Sequence, residues 1–428
     1  MLKRLLFIAL FFLPTLAYAT PITPVTTPGG TTAWLVESHT LPMISVEVAF
    51  RAGAAFDPKG QEGLSTLTAG LMTEAVGQLD SAALAAALER LGAHMTSGSD
   101  RLNVTVTLSV LSENIAPAMA LLADALAHPA FTEADTQRVK DAMLADIQQA
   151  MENPAQVASR EAQKLLYGTH PYAHPQNGTK ESVSTLTTAD VKTFYRNNIT
   201  RANMAISVVG DITPDALKPL LDKTLADLAP GTSRNKMQAM PTPGAPATKR
   251  LPLDAPQSTI ILTHKGIDRK EPDFFPTLMM NYILGGGGFG TRLMEEVREK
   301  RGLAYGIYSM FQPLPGWGPF TITVQTKNES VPEVLKLIHE NLARIQKDGV
   351  TEKEYKDAMD YLVGSFPLRL DSNANILGYL TFMQTENLGI DYLDTWVARM
   401  QAVTREQVNK AAQTRLHPAQ LITVIVGP

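Results

Sequence analysis

A guanidinium and a phenol, Arg298 and Tyr305, flank a predicted helix end in the stretch Phe289 to Ser309, FGTRLMEEVREKRGLAYGIYS. A run of glycines, Gly285 to Gly288, precedes it. Glu295 and Glu296 come early and Lys300 and Arg301 late, the order that a helix macrodipole favours. Thr291 is expected at the N-cap and Gly302 at the C′ stop. Leu303-Ala304-Tyr305 then opens an extended segment. Arg298 thus lies near the end of a short helix and Tyr305 just past the turn. A planar guanidinium and a phenol so placed can both reach one peptide carbonyl or carboxylate. A surface helix with merely solvated charges is the competing reading.

Other chemistry is poorly supported. His170-Pro-Tyr-Ala-His174 has the i, i+4 spacing of paired metal ligands, but Pro171 and Pro175 argue against the helix that spacing needs. His39, His94 and His264 are scattered. No G-x-S-x-G nucleophile elbow occurs. The glycine run lacks the Gly-Lys-Ser/Thr ending of a phosphate loop. With no cysteine in 428 residues, disulfides, thiol catalysis and cysteine metal sites are excluded.

The elements that must position Arg298 and Tyr305 repeat. After a Thr, Pro and Gly-rich lead-in over residues 20–32, strands are expected at Ala33 to Glu37, Ile44 to Phe50, Val104 to Val110 and Ala205 to Val209. Helices are expected at Gly63 to Val76, Ser81 to Leu91, Ile115 to Leu126, Thr132 to Met151 and Val191 to Asn197, with a break at Asn153-Pro154. The pattern then restarts. Asn103-Val-Thr-Val-Thr-Leu matches Pro319-Phe-Thr-Ile-Thr-Val, Thr132-Glu133 matches Thr351-Glu352, Val191 matches Val408, and Val209-Gly210 matches Val426-Gly427. These pairs are all about 217 residues apart, which means two tandem copies of one unit. The fold class is α+β: two homologous domains, 20–229 and 250–428, each a mixed β-sheet with helices packed on one face. Residues 230–249 join them as a linker, Pro, Gly and Thr-rich from Pro230 to Pro246. Few contacts are expected to cross that boundary.

Residues 1–19 stand apart. Lys3 and Arg4 precede the apolar run Leu5 to Leu13, and Ala17-Tyr18-Ala19 ends it as a small-x-small cleavage site. This is the pattern of a cleavable signal peptide, so export is expected, to a periplasm with full secretion as the alternative, and with no membrane span after cleavage. A hydrophobic content of 44% and a charged content of 19% suit a globular domain pair. The formal net charge of −4 gives no electrostatic case for nucleic acid.

Arg-Glu-Lys-Arg-Gly-Leu-Ala-Tyr after a glycine-rich turn resembles the arginine/tyrosine element in the C-terminal half of the M16 (pitrilysin-like) zinc peptidases. The duplicated α+β organisation extends this likeness over nearly the whole mature chain, and implies the M16 (LuxS-like metallohydrolase) fold. By that resemblance Arg298 and Tyr305 are the substrate-binding pair. The family's zinc motif, H-x-x-E-H on a helix of the first domain, is missing. Gly53, Asp57-Pro58 and Gly63-Leu64 keep its surroundings, but the three key positions hold Thr66, Ala69 and Gly70. The third ligand, a Glu in the family, falls about where Asp146 stands. One carboxylate does not hold zinc. Gly92 to Ser99, with Thr96 where the family usually has Asn, occupies the place of a sheet edge that pairs with extended peptide.

The resemblance therefore implies half of a divided active site: a non-zinc, M16B-like subunit, with no catalytic or metal-binding residue of its own and no cofactor in this chain. It implies a partner subunit bearing H-x-x-E-H and zinc, and a peptide or unfolded protein as substrate. The alternative is a catalytically inactive M16-fold scaffold or peptide-binding protein.

Overall fold

The computed structural model describes residues 21–232 and 235–428; the segment expected to direct export, 1–19, lies outside them. The first half builds a six-stranded sheet from β1 (Thr23–Thr26), β2 (Thr32–Glu37), β3 (Met43–Phe50), β4 (His94–Ser99), β5 (Val104–Leu111) and β6 (Met204–Gly210), in the order β1-β2-β6-β3-β5-β4. Only β2 and β6 pair in parallel. Residues 23–26, expected to be loose, instead pair with β2 as a short edge strand, with Val25 buried. Pro24 is tolerated there because an outer strand need not donate on both sides. The connections carry α1 (Leu64–Met72), α2 (Ser81–Arg90), α3 (Ile115–Ala127), α4 (Glu133–Glu152), α5 (Pro154–Tyr167), α6 (Lys180–Thr185) and α7 (Thr188–Asn198), and α8 (Pro214–Thr224) follows β6.

The second half repeats the plan with five strands, β7 (Ala247–Pro252), β8 (Ser258–Lys265), β9 (Ala304–Phe311), β10 (Pro319–Thr326) and β11 (Ile422–Gly427), ordered β7-β11-β8-β10-β9. Its helices are α9 (Phe274–Asn281), α10 (Arg292–Met294), α11 (Val331–Asp348), α12 (Glu352–Ser365), α13 (Asn373–Glu386), α14 (Tyr392–Gln401) and α15 (Arg405–Arg415). The repeat holds down to the caps. Thr132 accepts a hydrogen bond from the Asp135 amide to start α4, and Thr351 does the same with Glu354 to start α12. Val191 and Val408 are both fully buried on α7 and α15.

Each sheet rests one face on helices of its own half. Ile260 and Leu262 of β8 face a core with Leu342, Ile345 and Trp396. The other face is covered by a helix from the opposite half. Ala158, Ala162 and Leu166 of α5 pack on Ile261, Ile422, Val424 and Val426 of the second sheet. Reciprocally, Leu377 and Leu380 of α13 pack on Val36 and Val209 of the first sheet. Thr381 and Gln384 of α13 also bond to Ser207 on β6, at 2.9 and 2.8 Å. Covered on both faces, β6, β8 and β11 are buried along almost their whole length. The expectation of few contacts between the halves is therefore corrected: one helix from each half completes the other half's core.

Candidate functional site

The chain enters the site through α9 and the glycine run. Gly285 lies where a Cβ would stand 2.7 Å from Ser309 Oγ on β9. This close approach lets Asn281 and Ser309 exchange two hydrogen bonds, with the Asn281 amide donating to the Ser309 carbonyl and the Ser309 hydroxyl donating to Asn281 Oδ1. Packing, not phosphate binding, accounts for glycine there.

After the run, α10 continues through Glu299 with a widened turn in which Lys300 N donates to Glu295 O, five residues back. Such turns recur at functional sites. Thr291 occupies the N-cap, but its hydroxyl donates back to Gly288 O rather than accepting from the helix. Gly302 ends the helix as expected, with φ of 61°, its amide on Arg298 O and the Leu303 amide on Val297 O. Glu296 anchors the helix end. Bonds from Lys300 and Arg301 hold its carboxyl at a pKa of about 2.

Those two cations are thus occupied. Arg298 is placed differently: its guanidinium lies 4.5 Å from the ring centre of Phe289 and 5.3 Å from that of Tyr305. Among the described residues its one ion pair is with exposed Glu299, at 3.3 Å. Tyr305 is 87% exposed and Phe289 74%. The structure therefore brings Arg298 and Tyr305 together at the surface and adds Phe289, which sequence reasoning did not single out. An aromatic directly after a glycine run was its only signal. Tyr305 is the second residue of β9, an outer strand of the second sheet, which pairs with β10. In the first sheet β4, with Thr96 opposite Thr107, is likewise an outer strand, as expected for Gly92 to Ser99.

The zinc positions lie on α1 and hold nothing that could bind a metal. Thr66 donates its hydroxyl to Gln176 O at 3.0 Å. Ala69 is buried, and its carbonyl accepts from Ser97 on β4 at 2.6 Å. A Cβ at Gly70 would stand 3.2 Å from Val139. The helix start is intact: Asp57 accepts from the Gly63 and Ser65 amides at 2.7 and 2.8 Å, and burial pushes its carboxyl up to about 7. Asp146 lines a cavity of about 980 Å³ with Glu62 and His174. Among the described residues no three His, Cys, Asp or Glu side chains are grouped to hold a metal. The donor set does not fit zinc.

The histidines serve the fold. Pro171–Ala173 form a single tight turn, not an α-helix, and His170 accepts the Tyr172 amide. Burial lowers the pKa of both His170 and His174. His264 donates to Lys265 O and accepts from the His417 amide, and burial lowers its pKa to about 4.

Sequence profiles of one peptidase family match both halves. "Insulinase (Peptidase family M16)" matches residues 33–180, and "Peptidase M16 inactive domain" matches 185–362. A crystal structure described as a peptidase M16 inactive domain from Pseudomonas fluorescens superposes with a TM-score of 0.90 at 36% identity, over 95% of this chain and 98% of that one. Among curated proteins, a "Non-peptidase homolog YmxG" of Helicobacter pylori is 28% identical over 91% of this chain and 90% of its own length. An "Uncharacterized zinc protease YmxG" of Bacillus subtilis is 23% identical over 89% of this chain and 92% of its own length.

Proposed function

The chain belongs to the M16 peptidase family, and from that membership we propose that it is the non-zinc subunit of a heteromeric, periplasmic M16B-like metallopeptidase. Arg298 and Tyr305 would be the groups it lends to the active site of an H-x-x-E-H partner. The metal in that partner would supply activation of water. This chain would supply substrate binding: Arg298 donates to a backbone carbonyl or carboxylate of an extended peptide, and the Tyr305 hydroxyl makes a second bond. Fixing a peptide near its attack geometry lowers a barrier by several kcal/mol, so binding residues of this kind raise kcat/KM. The substrate would be a peptide or an unfolded protein, and the chain alone would be inactive.

The observation that carries this reading is Arg298 itself. Its neighbours Lys300 and Arg301 are spent on Glu296, whereas Arg298 is held between two exposed rings. An arrangement between exposed rings adds only about 0.5–1 kcal/mol to folding, so its fixed position is better explained by what it presents. Hydrolysis of an unstructured peptide by this chain mixed with an exported H-x-x-E-H M16 protein tests the proposal. Activity requiring both chains and falling with Arg298→Ala supports it. Activity of the partner alone, unaltered by this chain, would favour an inactive scaffold or peptide-binding protein of the same fold.

A further inference from the structure

A second cavity, of about 500 Å³, opens in the C-terminal half between α9, α13, α14 and the end of β9. This size suits a small organic molecule. Six aromatic rings line it, Trp396 among them, and its lining contains no Asp or Glu. Two guanidinium groups reach it. Arg269 is sandwiched between the Phe274 and Phe382 rings at 4.8 and 4.6 Å, and Arg369 lies over Trp396 at 5.8 Å. Neither forms an ion pair among the described residues, whereas Arg292 pairs with Glu354 and Arg415 with Asp273. Glu386 lies near enough for Arg269 to act on its charge, but it does not pair with it and does not line the cavity.

A further feature points to a ligand. Gly378 lies inside α13, where glycine costs roughly 0.5–1 kcal/mol relative to alanine. Nothing stands within 4 Å of the place its Cβ would take, so packing does not require glycine there. What a side chain at 378 would obstruct is the cavity it lines.

We propose that this cavity binds a small organic anion, a carboxylate carried on an aromatic or branched apolar body, with Arg269 and Arg369 holding the charge. The aromatic wall takes the body, and the absence of lining carboxylates removes the repulsion an anion would otherwise meet. The site stands independently of any role for Arg298 and Tyr305. Two sources share this chemistry: a free organic acid and the C-terminal residue of a peptide.

Isothermal titration of the full mature chain tests it, using N-acetyl-phenylalanine, its neutral carboxamide, and Ala-Ala-Phe with a free C-terminus. Saturable binding of the acid at one per chain is expected, weakened about tenfold or more in the carboxamide. Arg369→Gln should weaken the acid by a similar factor and leave the carboxamide unchanged. Gly378→Leu should abolish binding without lowering Tm, which separates a blocked cavity from a misfolded chain. Tighter binding of Ala-Ala-Phe than of the acetylated residue would identify a peptide terminus as the ligand, and equal binding a free acid. No binding at millimolar concentration, equal binding of acid and carboxamide, or unchanged binding by Gly378→Leu would overturn the proposal.

Discussion

The guanidinium of Arg298 lies 5.3 Å from the ring centre of Tyr305, across the turn that Gly302 makes. The relationship depends on backbone as well as side chains. Gly302 holds φ at 61°, where a residue with a Cβ is strained by roughly 1–2 kcal/mol. Gly302→Ala is expected to lower Tm by about 2–4 °C per kcal/mol lost. Arg298→Ala should leave Tm within about a degree, since it removes only stacking on exposed rings and an ion pair with exposed Glu299. Differential scanning calorimetry of both variants checks this. An equal loss in both would mean that Arg298 is part of the fold's framework.

Metal content gives a second expectation. Thr66, Ala69 and Gly70 offer α1 no imidazole or carboxylate, so the purified chain should carry no stoichiometric zinc and cleave no peptide alone. Elemental analysis after dialysis without chelator decides it. One tightly held zinc per chain would contradict the divided-site reading.

Much of this was legible in sequence because it is local or periodic. The strands alternate, Thr132 and Thr351 announce α4 and α12, and Gly302 announces a helix end; each signal lies within a few residues of its effect. The exchange of α5 and α13 was not legible. Ala158, Ala162 and Leu166 show an apolar stripe but not which sheet it meets, because that is decided by contacts across a distance of hundreds of residues. The unpaired state of Arg269 and Arg369, and the place of Phe289 over Arg298, are tertiary facts of the same kind. The lead-in strand β1 was hidden by Pro24 and the threonines around it.

The exchanged helices change what a nick in residues 230–246 should do. Each half contributes a helix to the other half's core, so cleavage there should leave the two pieces bound to each other. Limited proteolysis followed by size-exclusion chromatography under native conditions should give one peak containing both fragments. Two separate folded fragments would show that α5 and α13 are dispensable covers.

Acid should weaken the Arg292–Glu354 pair. Burial raises the Glu354 pKa, but the bonds from Arg292 and from the Thr351 amide outweigh it and bring it from an ordinary 4.5 to about 2. A carboxyl depressed in the folded state stabilises fully above its unfolded pKa, and that stability is lost as pH falls from about 4.5 toward 2. Glu354→Gln should cost about 1–3 kcal/mol at pH 7, with the difference from wild type shrinking as pH falls from about 4.5 toward 2. Urea unfolding midpoints at several pH values measure it. A difference independent of pH would show that packing, not charge, is what Glu354 provides.

The most direct measurement is kcat/KM for peptide hydrolysis by the reconstituted pair, with wild type, Arg298→Ala and Tyr305→Phe versions of this chain. Loss of a charge-assisted hydrogen bond at Arg298 is worth about 1.5–3 kcal/mol, a fall of roughly 10- to 150-fold. Tyr305→Phe removes a neutral hydroxyl and should cost on the order of tenfold. Both variants should associate with the partner and melt as wild type does. Full activity in both variants would contradict the assignment of Arg298 and Tyr305 as the substrate-binding pair, and leave the chain an inactive M16-fold scaffold.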